Sequence, residues 1–479
     1  MLRRILCISI AVLIFCLSVL TPAIGHANSG KFLLISDIHF DPFYDPSLFE
    51  KLDAQPVEHW ETILESSQNK QFSHYGQDTN YPLLRSTLDD AAKRIPDPDF
   101  ILYPGDSLAH NWHKKYDALS KVSHQIDPAA FCKFKTKATQ FVALAFERRW
   151  PNTPILATLG NNDSFCGDYR IEPHGPFLSM FADAWAPLLD SSINLPTFRK
   201  SFSNLSLYEM RIPTIRHHRI IIIDNVYWST YYDNACGDIT QTPALDQLVW
   251  LEKALHDSRR ANEKVWLLLH IPPGIDNFFS STKHQSDFAR PVTFWQQALT
   301  SRFAKLVERY QSTIQIAFAG HTHMDDFRII RLNGKASLLM KIAPSVSPIF
   351  GNNPAYQIYD YERDSGRLED YRTFSLKNPS FHPRTDGGAV PDWGKEYDFR
   401  QAYKLPCLSA AIIEQLANHI RKDGAIRKAF GEFYDVGGPT AFNANTVYGY
   451  GCAILNTTPA AYQACLKAAN PARQEPVRE

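Results

Sequence analysis

"PILATLGNNDSFCGDYR" (residues 154–170) sets an apolar run against a glycine and then three polar residues in a row, Asn161, Asn162 and Asp163. The run is continuous rather than alternating, which reads as a strand covered on both faces. A Gly-Asn pair after such a strand is either a plain turn or a ligand held at the strand's end. The other strands of the chain decide between the two.

The same arrangement recurs along the sequence. "KFLLIS" (31–36) runs into Asp37-Ile38-His39, and "DFILYP" (99–104) into Gly105-Asp106. "KVWLLL" (264–269) ends at His270, and "IQIAFA" (314–319) at Gly320-His321-Thr322-His323. "RIIIID" (219–224) is a further run of this kind. Helical patterns at 83–95, 136–150 and 245–263 alternate with these strands. The class is therefore α/β, with sheet layers inside helices. Residues 338–376 are richer in strand formers and are expected to complete a second sheet.

In open α/β sheets, ligands gather outside the carboxyl ends of the strands. Seven side chains stand there: Asp37, His39, Asp106, Asn161, His270, His321 and His323. Asp, Asn and His are oxygen and nitrogen donors for divalent first-row metals. The set is too large for one tetrahedral ion and large enough for two that share a bridging carboxylate. Glycines before Asp106, Asn161 and His321 are expected to permit sharp turns. If 321–323 is extended, His321 and His323 face the same way. Taken singly, Asp-x-His reads as a polar loop, Gly-Asp as a turn and His270 as a core histidine. The ordered coincidence of all five strand ends favours the metal site.

The flanks bound the rest. Residues 1–27 join Arg3 and Arg4 to an apolar stretch and a small-residue cleavage site, the pattern of a secretory signal peptide. The mature chain is expected to be exported, secreted or periplasmic, with no stable membrane insertion. Lys plus Arg and Asp plus Glu are equal at 50 each, so no charge excess points to duplex nucleic acid. Beyond the signal, Cys132, Cys166, Cys236, Cys407, Cys452 and Cys465 remain, as befits disulfides in an exported protein. They lack C-x-x-C spacing, which argues against a thiolate metal site. A Cys166–Cys236 bridge bracing the strand-end loops is one pairing considered. Asn204 and Asn456 begin glycosylation sequons. Tyr44, Tyr75, Trp112 and Trp295 are candidates for a binding wall, but aromatics are more often core. Residues 28–377 read as the catalytic domain. The Pro- and Gly-rich residues 378–394 read as a linker or wrapping loop, with a small helical subdomain following to 479.

The order Asp-x-His, Gly-Asp, Gly-Asn, His, Gly-His-x-His resembles the calcineurin-like metallophosphoesterase superfamily. "GDSLAH" (105–110), "YDFRQAYKLPCLSA" (397–410) and "CAILNTTPAAYQAC" (452–465) are similar to its acid sphingomyelinase-like phosphodiesterase group. The resemblance implies a four-layer αββα sandwich, a small C-terminal helical subdomain and a Cys452–Cys465 disulfide. It implies a first metal held by Asp37, His39, Asp106 and His323, and a second held by Asp106, Asn161, His270 and His321. Zn2+ is the pair implied, while the ligand types also admit Mn2+ or Fe. The implied reaction is in-line attack of a metal-bridging hydroxide on phosphorus, with ions roughly 3.5–4 Å apart. The family's usual proton donor follows the Gly-Asn pair as His. Here Asn162 stands in that place and can offer only a hydrogen bond to phosphate. His110 is then the expected general acid. With no lipid-handling domain ahead of the first strand, the expected substrate is a soluble phosphodiester or nucleotide. The Gly-Asn-Asn-Asp variant also resembles endopolyphosphatases, so a phosphohydrolase acting on anhydrides is one alternative. An inactive metal-braced binding protein is another.

Overall fold

The computed structural model describes residues 28–234, 236, 243–282, 291–379, 391–439 and 447–469. Residues 1–27, read above as a signal peptide, and most of the expected linker 378–394 lie outside the described residues.

Twelve strands occur among the described residues: β1 Ser29–Leu34, β2 Ile101–Tyr103, β3 Ile155–Ala157, β4 Leu207–Arg211, β5 His218–Ile223, β6 Lys264–Leu268, β7 Ile314–Ala319, β8 Asp326–Leu332, β9 Lys335–Ile342, β10 Ala355–Glu362, β11 Leu368–Leu376 and β12 Trp393–Asp398. They form two six-stranded sheets, β12-β11-β10-β1-β2-β3 and β4-β5-β6-β7-β9-β8. The six apolar runs seen in the sequence are β1, β2, β3, β5, β6 and β7. Five of them carry the polar strand ends. β1, β2 and β3 pair in parallel in one sheet, and β6 and β7 in the other. Their carboxyl ends therefore leave each sheet at the same edge.

The later β-rich region does more than complete a second sheet. β9 joins the second sheet, but β10 and β11 return to the first, where β10 lies antiparallel to β1. β12 falls partly within the expected linker and pairs with β11 at that sheet's edge. The crossing back is consistent with side-chain pattern. β10 is buried at most of its positions, as an interior strand must be.

Between the sheets lies an aromatic core. Phe32 of β1 stacks on Phe100 at 4.9 Å and on Tyr359 at 4.7 Å, and meets Phe318 of the facing sheet edge-on at 5.7 Å. Trp266 of β6 packs against both Phe32 and Phe100. Helices Tyr81–Arg94 and Pro128–Arg149 pack against each other within the same continuous core, with Leu84, Leu88, Phe141 and Phe146 buried. Helices Pro243–Arg260 and Gln297–Arg309 lie on the second sheet. The result is helices outside two sheets, the architecture expected. The C-terminal helices Ala410–Lys422 and Val447–Leu455 pack on β8 and β9 and share that core. Among the described residues, no helix is long and apolar enough to cross a membrane.

Both anticipated disulfides are present, Cys166–Cys236 and Cys452–Cys465, while Cys132 and Cys407 are free thiols. Of the aromatics considered in the sequence, Trp295 is core and donates to the Ile271 carbonyl, and Tyr75 bonds Asn353.

Phe32 touches both sheets, so its loss opens a cavity that neither sheet can close alone. Phe32→Ala is expected to cost about 3–5 kcal/mol, read as a fall in the denaturation midpoint with an unchanged slope.

Candidate metal centre

The loops at the common edge turn back sharply, and the backbone is strained where the donors sit. Asp37, His39, Asp106, His321 and His323 all adopt left-handed φ, between 47° and 73°. Such a conformation costs a non-glycine residue on the order of 1–3 kcal/mol and persists only where its surroundings enforce it. Here the loops are stitched to one another. The amides of Asp37 and His39 donate to the carbonyls of Gly105 and Asp106, at 3.1 and 2.9 Å, and Gly320 donates to His270. Residues 321–323 are therefore not extended. A left-handed turn at both histidines brings them to the same cluster by another route.

The glycines before the donors serve two purposes. Gly105 alone of the three takes a left-handed φ, of 101°. At Gly160 and Gly320 the constraint is room. A Cβ there would lie 2.1 Å from the Asp106 carboxylate and 2.3 Å from Ser36 Oγ, respectively.

All seven sequence-selected residues converge, and their donor atoms fall into two groups that meet at Asp106. In the first, His39 Nε2 lies 3.0 Å from His323 Nε2 and 3.4 Å from Asp106 Oδ2. Asp37 Oδ1 lies 3.9 and 3.7 Å from the same two imidazole nitrogens. In the second, Asn161 Oδ1 lies 3.0 Å from His270 Nε2 and 2.8 Å from His321 Nδ1. His270 Nε2 is 3.3 Å from Asp106 Oδ2. One carboxylate oxygen thus stands almost equally far from both groups.

Atoms that share an ion at bonds of about 2.0–2.2 Å lie roughly 3–4 Å apart, and these separations are of that size. The chemistry of the set fits a cation as well. Asp37 and Asp106 are buried, and among the described residues neither pairs with a Lys or Arg. The imidazoles are tied from behind. His39 Nδ1 donates to the Leu108 carbonyl at 3.0 Å and His270 Nδ1 to the Pro104 carbonyl at 2.8 Å. Each then turns its Nε2 inward, the orientation a metal ligand needs.

Burial sets the protonation of the group. It lowers His39 to about 4 and His321 to about 3, so both are neutral imidazoles near pH 7. Burial, with Asp106 alongside, raises Asp37 to about 7. His270 moves the other way: burial opposes its charge, but the Asp106 carboxylate draws it up to about 9.

Residues 30–325 match the family model described as calcineurin-like phosphoesterase. The chain belongs to that family. Calcineurin-like phosphoesterases use a dinuclear metal centre, and the chain is accordingly a metal-dependent phosphoester hydrolase. The human protein named acid sphingomyelinase-like phosphodiesterase 3b is 27% identical over 416 residues, covering 83% of this chain and 81% of that one. The rat protein named cyclic GMP-AMP phosphodiesterase SMPDL3A is 24% identical over 468 residues, 94% of each chain. A dimetal phosphatase from Danio rerio covers 72% of this chain and 95% of its own, at 12% identity and a TM-score of 0.40.

Several residues that sequence reasoning passed over hold the phosphoesterase centre in place. Asp163 accepts from the amides of Ser107, Leu108 and Gly160, at 2.9, 3.2 and 3.0 Å, and so locks the Asp106 loop to the Asn161 loop. Asn225 accepts from the amides of His270 and Ile271. Asp168 accepts from Asn161 Nδ2 at 2.7 Å, which turns Asn161 Oδ1 toward His270 and His321. Asp168 was in plain view in "CGDYR", eight residues past Gly160.

The two positions singled out for catalysis differ. Asn162 is buried and gives both its amide and its Nδ2 to Asp106, at 2.8 and 3.2 Å. Both bonds orient the shared carboxylate. His110 stacks on His39 at 4.1 Å, with Nδ1 at 2.7 Å from Asp78 Oδ1. Burial disfavours its charge, but the Asp78 carboxylate more than offsets this and raises its pKa. Lys115 holds Asp78 in turn, at 2.6 Å.

The centre opens into a cleft of about 270 Å³ walled by Tyr169, Phe278, Phe279, Phe294, Phe350, Tyr434 and Tyr450. None of Tyr44, Tyr75, Trp112 or Trp295 lines it. The wall comes from segments far apart in the chain, two of its rings from the C-terminal helices.

Asp168→Ala frees the Asn161 amide to rotate. It is expected to weaken binding of one metal about 10–100-fold while the other stays bound, measured by chelator competition followed with elemental analysis.

Proposed function

We propose that the protein is an exported dinuclear phosphodiesterase that cleaves a soluble phosphodiester or nucleotide. The observation that carries this reading is the pair of four-donor groups sharing Asp106 Oδ2, with His110 beside them at the mouth of an aromatic cleft. Asp37, His39, Asp106 and His323 would hold one ion, and Asp106, Asn161, His270 and His321 the other, with Zn2+ as the favoured pair. Such ions polarise phosphoryl oxygens and make water nucleophilic near neutral pH. The remaining chemistry belongs to the chain.

Asn162 keeps the shared carboxylate aligned through its two hydrogen bonds. It has no proton to give at useful acidity. His110 does: Asp78 takes its Nδ1–H, which favours the imidazolium and leaves Nε2–H as the proton to pass to the departing oxygen. The Asp78–Lys115–Asp41 chain behind it keeps the ring from turning.

The cleft supplies binding. Phe278 and Phe350 are 52% and 40% exposed, and their rings lie 6.0 Å apart at its rim. Planar rings offer faces to a nucleobase or another flat organic group. A relative named for cyclic GMP-AMP supports a nucleotide in that place. The signal-like residues 1–27 and the two disulfides support export.

Turnover of bis(p-nitrophenyl) phosphate by the metal-loaded protein should exceed that of p-nitrophenyl phosphate. The opposite order would mark a monoesterase. His110→Ala is expected to slow diesters with alkoxide leaving groups at least about 100-fold and nitrophenyl esters much less, because nitrophenolate leaves without a proton. Equal losses on both would show that His110 positions phosphate rather than protonating the leaving group.

A further inference from the structure

A second cavity, of about 410 Å³, adjoins the cleft, and Lys135 of helix Pro128–Arg149 stands in its lining. Lys135 is 1% exposed and forms no ion pair or hydrogen bond among the described residues. Its Nζ lies 5.6 Å from the ring centre of Trp112 and 5.7 Å from that of Phe131. Ring faces return to an ammonium only part of what it loses on leaving water. The one carboxylate in the cavity lining, Asp168, is already engaged by Asn161.

Trp112 lines the same cavity, is 3% exposed, and its Nε1 has no acceptor. The two groups have opposite needs. The buried amine is best served by losing its positive charge, and the indole N–H by gaining an acceptor. Burial lowers the Lys135 amine to about 7, so much of it is an uncharged nucleophile near neutral pH. Lys114 and Arg170 also stand in the lining, and the Arg170 pairing with Asp233 is half exposed and weak. The cavity is therefore suited to a small anion built on the lysine itself.

We propose that Lys135 is a modification site at which dissolved carbon dioxide adds to Nζ as a carbamate that accepts a hydrogen bond from Trp112 Nε1. The Nζ lone pair forms a bond to the carbon of carbon dioxide, and one C=O pair moves onto oxygen. The amine gives one proton to water, and nothing is oxidised or reduced. The product is an anion with two acceptor oxygens in place of a buried cation without a partner. Lys114 and Arg170 face its charge from the same lining. The modification needs neither substrate nor bound metal, so it stands apart from the phosphodiesterase reading.

The test uses the metal-loaded full chain, with nitrogen-15 in its lysines, in bicarbonate enriched in carbon-13. One carbon resonance split by the lysine nitrogen is expected, because such splitting requires a direct N–C bond. Lys135→Arg keeps a cation but removes the nucleophilic amine, and should abolish the resonance. Trp112→Phe should raise the bicarbonate concentration for half occupancy about tenfold, the loss of a hydrogen bond to a charged group. The proposal is overturned by no resonance in the wild type, by an unsplit one that marks bicarbonate held without a bond, or by a split one that survives in Lys135→Arg. Unchanged half occupancy in Trp112→Phe would also overturn it. If Lys135→Arg does not fold, the wild type suffices. A trialkyloxonium salt esterifies the carbamate, and peptide mapping then locates it. A label on Lys135 supports the site, and labels on other lysines alone overturn it.

Discussion

The carboxylate of Asp106 is buried at the seam of two sheets, with imidazoles from both within 3.4 Å of one oxygen. A buried carboxylate without a Lys or Arg partner is expensive unless a cation and oriented hydrogen bonds meet it. Much of the molecule is organised around that requirement. β1, β2 and β3 deliver Asp37, His39, Asp106 and Asn161 from one sheet. β6 and β7 deliver His270, His321 and His323 from the other. Neither sheet holds a complete donor group alone, so the packing of Phe32 and Phe100 against Trp266 and Phe318 is also what assembles the centre.

The centre is rigid for a local reason. Five of its seven donors occupy left-handed backbone, which no isolated loop would keep. Asp163 locks two of the loops together by accepting three amide hydrogens, and Asn225 fixes the start of a third. Close approach at Gly160 leaves no room for a side chain between Asp106 and Asn161. Strain, buried hydrogen bonds and glycine therefore act together to hold donors at separations that two ions fit.

The strand ends were legible because a strand buried on both faces is a continuous apolar run, and the residue that stops it is conspicuous. Helices Ala410–Lys422 and Pro459–Ala469 were equally clear from their periodicity. What stayed hidden depends on contacts between distant segments. Asp78 has no local signature, yet it makes His110 a credible acid from 32 residues away. The aromatic wall joins Phe278, Phe350, Tyr434 and Tyr450, which no window of sequence brings together. β10 and β11 return to the first sheet, a choice of partner that strand-forming residues do not encode by themselves. At Asn162 the sequence showed a missing histidine; the structure shows an amide that orients the shared carboxylate.

The central claim is that Asp106 is shared by two metal ions. Anomalous diffraction from crystals of the metal-loaded protein tests it most directly. Two peaks are expected about 3.5–4 Å apart, one within bonding distance of His39 and His323, the other of His270 and Asn161, with Asp106 between them. A single peak, or two peaks with Asp106 bound to only one, would contradict the account.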